Sequence, residues 1–260
     1  MIKRKPFRTW VAASFLFAAL LPANAFAADD ARDLLKAMSD FMGKQKTFSF
    51  DYDSTIEVVT PDFQKLQFAS SGNVAVSRPD KIKVNRTGGF SDVEFVFDGT
   101  TLSLLGRNIN AYAQVEAKGT LDELAEKLEN AGVQPPGADL LSSDIYDLLI
   151  HDEVTDAKHI SSAYVDSVEC ELLAFRARDV DWQIWIRGGD QPVPLRYVIT
   201  SKHVAQAPQY TLQTRNWKLG ADAATAVLAF DKPADAKKVD LSELPHIDEI
   251  PEAANVGGAQ

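Results

Sequence analysis

The sequence predicts an α+β protein in which one curved antiparallel sheet of about 10–11 strands is covered by about three helices. Most of the chain alternates apolar and polar residues with a period of two, which is typical of half-buried strands. One segment before these strands and two near their middle carry apolar residues three and four apart, as amphipathic helices do. Because a large sheet curls, its concave apolar face needs the helices as a cover.

The chain begins with the three regions of a secretory signal peptide. They are a basic start over 3–8, an uncharged apolar run over 10–21, and small residues at Ala25 and Ala27. The apolar run of about 12 residues is shorter than the roughly 20 that cross a bilayer. We therefore expect cleavage near Ala27 and export of a soluble protein.

The mature chain is strongly acidic. Removal of residues 1–27 takes away four basic and no acidic side chains, which leaves 23 basic and 37 acidic ones and a net charge of −14. Phosphate backbones and anionic lipid surfaces repel such a protein, so we expect no nucleic-acid partner and at most transient membrane contact. One domain is predicted over 28–244, followed by a disordered acidic tail over 245–260.

A leading helix and a series of strands make up the first half of the mature chain. The predicted elements are a helix over 31–42, strands over 48–58, 66–68, 74–76 and 82–84, a hairpin over 94–105, and a strand over 111–116. Gly43 is placed to end the helix. Arg78-Pro79-Asp80 predicts a turn between strands, and Asp98-Gly99 predicts the two-residue turn of the hairpin.

Two helices then interrupt the strands. Thr120 and Glu123 have the spacing of a capping box, which predicts a helix that Gly132 ends. Pro135-Pro136-Gly137 links it to a further helix over 138–150. The strands predicted after this point cover 161–165, 169–176, 182–187, 195–202, 210–219 and 226–230.

Cys170 is the single cysteine, so an internal disulfide is not possible. Alternation along the strand puts it on the same side as Val168 and Leu172, with two glutamates opposite. We interpret Cys170 as a small buried hydrophobic residue rather than a reactive thiol.

The element order and three local segments resemble the lipoprotein-carrier fold of the bacterial periplasm, the superfamily of the Lol carriers. Residues 72–84, GNVAVSRPDKIKV, are similar to the strand–Arg-Pro–strand segment of those carriers. Residues 97–102, FDGTTL, resemble their next hairpin, and 185–187 followed by 194–196 resemble a later one. Within the superfamily, the whole chain looks closest to an uncharacterised family of predicted periplasmic proteins.

The resemblance implies a periplasmic half-barrel whose cavity shields an acyl chain or another apolar ligand beneath a helical lid. The predicted cavity residues are Phe50, Tyr52, Phe68, Phe95, Phe97, Leu102, Leu104 and Trp182. The predicted lid residues are Leu121, Leu124, Leu128, Leu141, Ile145 and Leu148. The choice of the inward strand face is an assumption, because a shift of one residue reverses every side chain.

The alternative function is a non-catalytic envelope interaction or sensor module with a filled core, which would bind another envelope protein. A fully packed interior would favour this module, whereas a cavity large enough for a chain would favour the carrier. No cofactor and no metal are expected, and we expect a monomer. His151-Asp152-Glu153 is interpreted as a solvated surface cluster, and Asp51 with Asp53 as a solvated outer face.

An enzyme is the third class considered. The sequence has neither a Gly-x-Ser-x-Gly motif nor a Gly-rich phosphate loop. An enzyme of this fold would need a cluster of polar residues inside the cavity, which the sequence does not reveal. We therefore expect no catalytic activity.

Overall fold

The computed structural model describes residues 28–133, 135–150, 154–223, 228–244 and 247–251. The predicted signal peptide lies outside these residues, and so do His151-Asp152-Glu153 and positions 252–260 of the predicted tail. None of the helices in the described part of the chain is long and apolar enough to cross a bilayer.

The described residues form one sheet of 12 strands. In chain order the strands are β1 (Thr47–Val59), β2 (Lys65–Ser77), β3 (Lys81–Gly88), β4 (Asp92–Phe97), β5 (Thr101–Gly106), β6 (Ala111–Glu116), β7 (Asp156–Val165), β8 (Val168–Arg176), β9 (Val180–Arg187), β10 (Pro194–Ser201), β11 (Gln209–Leu219) and β12 (Lys237–Lys238). Across the sheet the order is β12-β6-β5-β4-β3-β2-β1-β11-β10-β9-β8-β7. The sheet is open and curved, and its pairs are antiparallel apart from β12 with β6, so the predicted fold class is confirmed.

Two strand predictions differ from the structure. The predicted strands over 66–68 and 74–76 are one strand, β2, because the polar residues between them pair without interruption with β1. Residues 228–230 of the predicted strand over 226–230 are not in a strand. The twelfth strand is instead the short β12, which pairs in parallel with β6 at the edge of the sheet.

Within the described ranges, three α-helices cover the concave face: α1 (Ala28–Gly43), α2 (Leu121–Asn130) and α3 (Ile145–Ile150). The capping box of α2 forms as predicted between Thr120 and Glu123. The single helix predicted over 138–150 is wrong, since it divides into a 3₁₀ turn at Ala138–Leu141 and α3. Ser142 Oγ accepts from Asp144 N at 3.1 Å, and such local bonds compete with continued helix.

The main core lies between the inner face of the sheet and these helices. Its largest fully buried side chains include Leu35, Met38, Met42, Phe48, Phe97, Ile145, Leu173 and Ile184. Cys170 is buried in this core, together with Leu173 and Phe175. The predicted partner Val168 is exposed at the first position of β8, beside the turn from β7.

The C-terminal segment (residues 228–251) passes from one face of the sheet to the other around the β6 edge. Phe230 packs on Tyr112, with ring centroids 5.9 Å apart, on the face opposite Ala111 and Ala113. After β12, Leu244 and Ile247 pack against Ala111 and Ala113 in a second, smaller cluster. Ile247 and Glu249, which lie in the stretch predicted to be disordered, therefore have contacts with the sheet. Disorder of the tail over 245–260 stays a prediction.

A candidate site between the sheet and its lid

The lid (residues 120–150) is closed on the concave face and joins most of the predicted site residues in the main core. The predicted residues buried there are Phe50, Tyr52, Phe97, Trp182, Leu121, Leu124 and Ile145. Those partly buried against it are Phe95, Leu102, Leu128 and Leu141. The strand face assumed to point inward is thus the face on which the lid lies.

Three predicted site residues lie elsewhere. Leu148 is 52% exposed, whereas Ile145 at the start of α3 is fully buried. Leu104 shares the inner face but packs in the second cluster beside Leu244, beyond the reach of the lid. Phe68 is half-buried and pairs with Ile56 near the far end of β2.

Aromatic rings form much of the inner face. Phe50 stacks on Trp217 with a centroid separation of 4.3 Å, and Phe175 stacks on Trp182 at 3.9 Å. Sequence reasoning missed Trp217, because simple alternation from Tyr210 points it outward. Its inward position follows from a register shift between β1 and β11, where Asn216 adopts a φ of 55°.

The turn between β2 and β3 holds the lid. Arg78 Nη2 donates to Leu141 O at 2.9 Å and to Ser142 O at 2.8 Å. The guanidinium lies 5.5 Å from the centroid of the Phe48 ring. Leu121 N, at the start of α2, donates to Pro79 O at 2.8 Å. Sequence reasoning interpreted Arg78 and Pro79 only as part of a turn and missed their contacts with the lid.

Further polar contacts join the lid to α1 and to β10. Tyr146 N donates to Ser39 Oγ at 2.9 Å. Asp139, in the 3₁₀ turn of the lid, shares a hydrogen bond with the hydroxyl of Tyr197, and burial raises the pKa of Asp139. A small set of polar bonds therefore holds the closed lid, in addition to its apolar contacts.

A polar cluster made of Tyr52, Arg86, Tyr210 and Glu249 interrupts the apolar inner face. Tyr52 and Arg86 lie in one row across the sheet, since each pairs with Gly72 of β2. Arg86 Nη1 lies 3.4 Å from Glu249 Oε1, and its Nη2 donates to Ile247 O. The C-terminal segment thus supplies the negative charge that faces this arginine.

Burial dominates the protonation of the polar cluster. It raises the pKa of Tyr52 to about 12, while nearby Arg86 opposes the rise. Burial likewise raises the pKa of Tyr210, and Glu249 and Tyr52 raise it further. The pKa of Glu249 is raised because its desolvation outweighs the attraction of Arg86. Both tyrosines are therefore hydroxyl donors at neutral pH.

The polar cluster lies close to both the lid and the C-terminal segment. A Cβ at Gly137 of the lid would be 3.2 Å from the Leu212 side chain and 3.5 Å from the Tyr210 ring. Tyr210 is therefore in contact with the lid on one side and close to Glu249 on the other. Sequence reasoning missed the cluster, because it expected Glu249 in a disordered tail and gave Arg86 no function.

On the described part of the chain, surface depressions also lie outside this interior. One, of about 680 Å³, is lined mainly by polar residues that alternate with Phe50 and Val74, and so opens on the face away from the lid. The other, of about 380 Å³, lies on β5 and β6 beside Lys238. Neither is formed by the lid.

Residues 31–242 match a family described as "Predicted periplasmic protein (DUF2092)". The chain belongs to this family. The resemblance to a family of predicted periplasmic proteins is thereby confirmed. No curated protein matches the chain.

Several solved structures are similar in fold to this DUF2092 chain. Lipoprotein LppX of Mycobacterium tuberculosis is 14% identical, with a TM-score of 0.48 over 74% of this chain and 96% of that chain. LprF from Mycobacterium bovis is 11% identical, with a TM-score of 0.46 over 79% and 98%. A LolA superfamily protein from Nitrosomonas europaea is 11% identical, with a TM-score of 0.34 over 73% and 93%. Likenesses of this degree concern the fold alone.

Proposed function

We propose that this protein is exported to the periplasm, loses residues 1–27, and binds an apolar ligand between its sheet and its lid. The ligand is a lipid or another acylated molecule. One observation carries this proposal: an inner face made largely of aromatic and aliphatic side chains is covered by short helical pieces that a few polar bonds hold in place. Such a cover can lift while the sheet keeps its pairing. In the structure the lid side chains occupy the space that the ligand would take.

Burial of an acyl chain could offset the lid contacts that it displaces. Burial of each methylene contributes about 0.8 kcal/mol, so a chain of roughly a dozen carbons gains on the order of 10 kcal/mol before ordering costs. The lid presents Leu121, Leu124, Leu140 and Ile145 to the core. Contacts with the chain would replace those that these side chains make with the sheet.

We propose no catalytic activity for the polar cluster. With its pKa raised to about 12, Tyr52 stays protonated at neutral pH and is a poor general base. Arg86 is paired with Glu249, and burial raises the pKa of Tyr210 as well. These groups are suited to binding an anion by charge and hydrogen bonds.

The second candidate is an envelope interaction module with a filled core. The closed lid supports it, since the lid side chains fill the concave face. Strand β7 supports it too, because it forms an open edge of the sheet and exposes Ile160 and Tyr164. An edge of this kind can accept a strand from another protein.

Substitution in the lid tests the first candidate. Leu124 is 5% exposed in the core, so Leu124→Glu places a charge where the ligand would lie. We expect uptake of a fluorescent fatty acid to weaken by at least roughly tenfold. Leu148→Glu is the matched control, because that lid leucine faces solvent and its substitution should leave uptake unchanged. Unchanged uptake in a folded Leu124→Glu variant would contradict binding beneath the lid.

A further inference from the structure

We propose that Arg86, Tyr52 and Tyr210 bind the anionic head group of an amphiphilic ligand, and that residues 247–251 occupy this head-group site until the ligand displaces them. The inference rests on the proposed function, since it names the class of ligand for the same interior. The chemistry required is a carboxylate or phosphate joined to an apolar chain.

The position of Arg86 is the first observation. It follows Ile82 and Val84 at a period of two on β3, so it lies on the inner face of the sheet. Its side chain is only 16% exposed. A buried guanidinium needs a negative partner, and here the partner is Glu249, which the C-terminal segment brings across the sheet.

The contact between Arg86 and Glu249 leaves donors unused. Arginine and a carboxylate commonly form two parallel hydrogen bonds of about 2.7–2.9 Å. Here one Nη1–Oε1 contact of 3.4 Å is formed, and Nε of Arg86 is buried without a partner among the described residues. Nη2 donates to Ile247 O and to Ser91 Oγ. Once residues 247–251 leave, Nε and Nη2, which lie on the same side of the guanidinium, could hold a carboxylate or phosphate in the two-bond arrangement. Glu249 therefore resembles a weak substitute for such a ligand.

The surroundings of Arg86 suit an amphiphile. Tyr210 remains protonated and can donate to an anionic oxygen, as can Arg86. The protonated Tyr52 hydroxyl could do so in exchange for its long bond of 3.3 Å to Asn85 O. The neighbouring row across the sheet lies two residues from Tyr52 and Arg86, on the side of the turn between β2 and β3. This row is apolar and contains Phe50 and Val84. An acyl chain whose head group lies at Arg86 would therefore run along the apolar rows beneath the lid.

The experiment compares two lipids that differ only in the head group. Oleate is anionic and oleyl alcohol is neutral, and both carry the same chain. Binding of each to the exported protein, to Glu249→Gln and to Arg86→Gln is measured by displacement of a fluorescent fatty acid. Glu243→Gln is the control, because Glu243 is an exposed carboxylate of the same segment. Lysophosphatidic acid, added in parallel, distinguishes a phosphate from a carboxylate head group.

We expect Glu249→Gln to strengthen oleate binding by roughly tenfold or more, because the competing charge is lost. Arg86→Gln should weaken oleate binding by a similar factor and leave oleyl alcohol nearly unchanged, while Arg86→Lys should retain much of the preference. If Arg86→Gln does not fold, Glu249→Gln decides the matter by itself. The Glu243→Gln control should behave as the unsubstituted protein.

Two negative results are distinguishable. Equal binding of oleate and oleyl alcohol, unaltered by Glu249→Gln, would overturn the head-group site and leave apolar binding intact. Binding of neither lipid to any variant would overturn the proposed function and this inference with it.

Discussion

At the scale of single residues, Gly72 makes the polar row of the inner face possible. A Cβ at this position would lie 2.0 Å from Asn85 O and 2.7 Å from the Tyr52 ring. The ring of Tyr52 therefore crosses the β2 backbone, and its hydroxyl donates to Asn85 O at 3.3 Å. The sequence predicts strands on either side of Gly72, but the alternation within one strand carries no information about which neighbour crosses it.

The close approach at Gly72 gives a stability prediction. Gly72→Ala should displace the Tyr52 ring and lower the free energy of unfolding by about 1–3 kcal/mol. Gly89→Ala is the control, because a Cβ there meets nothing within 4 Å, and its effect should stay within about 0.5 kcal/mol. Urea denaturation of the two variants measures both. Equal stability of Gly72→Ala and the unsubstituted protein would show that the ring does not need this glycine.

At the scale of elements, the lid is predictable in part. The capping box at Thr120 predicts where α2 begins, because that signal is local. The break of the predicted helix over 138–150 depends on Ser142 and Asp144, whose side chains bond to nearby backbone. Arg78 contacts Leu141 and Ser142, which lie 63 and 64 residues after it in the chain. Contacts at such separations do not appear in a periodic pattern.

The lid should respond to pH through Asp139. Burial raises its pKa in the closed lid, and Glu129 on α2 adds to the rise, while the hydrogen bond from Tyr197 opposes it. A carboxyl with a raised pKa stabilises the closed state fully below its ordinary pKa, and that contribution is lost as pH rises through the raised value. The lid of the unsubstituted protein should therefore open more readily towards neutral pH, and Asp139→Asn should lose this dependence.

Hydrogen–deuterium exchange of residues 138–150 measures lid opening. The exchange rates of Asp139→Asn and the unsubstituted protein are compared at each pH, so that the intrinsic pH dependence of exchange cancels. The two rates should converge in acid and separate as pH rises, with the unsubstituted lid exchanging faster. A ratio that does not change with pH would contradict the assignment to Asp139.

At the scale of the whole molecule, the curved sheet follows from the alternation along its strands, whereas the course of the C-terminal segment does not. Phe230 and Ile247 lie on opposite faces of the sheet, with β12 between them at the edge. Proline and charged residues between them give no periodic signal. Glu249 shows the consequence, since its acidic surroundings in sequence predict disorder and its contact with Arg86 requires the folded sheet.

We propose above that an apolar ligand occupies the space beneath the lid. The first test is native mass spectrometry of the protein, purified gently from its own periplasm. We expect a chain that begins at Ala28, with an additional discrete mass that solvent extraction releases as a lipid. A clean mass of the protein alone, with no uptake of added fatty acids or phospholipids, would contradict the claim and favour the envelope interaction module.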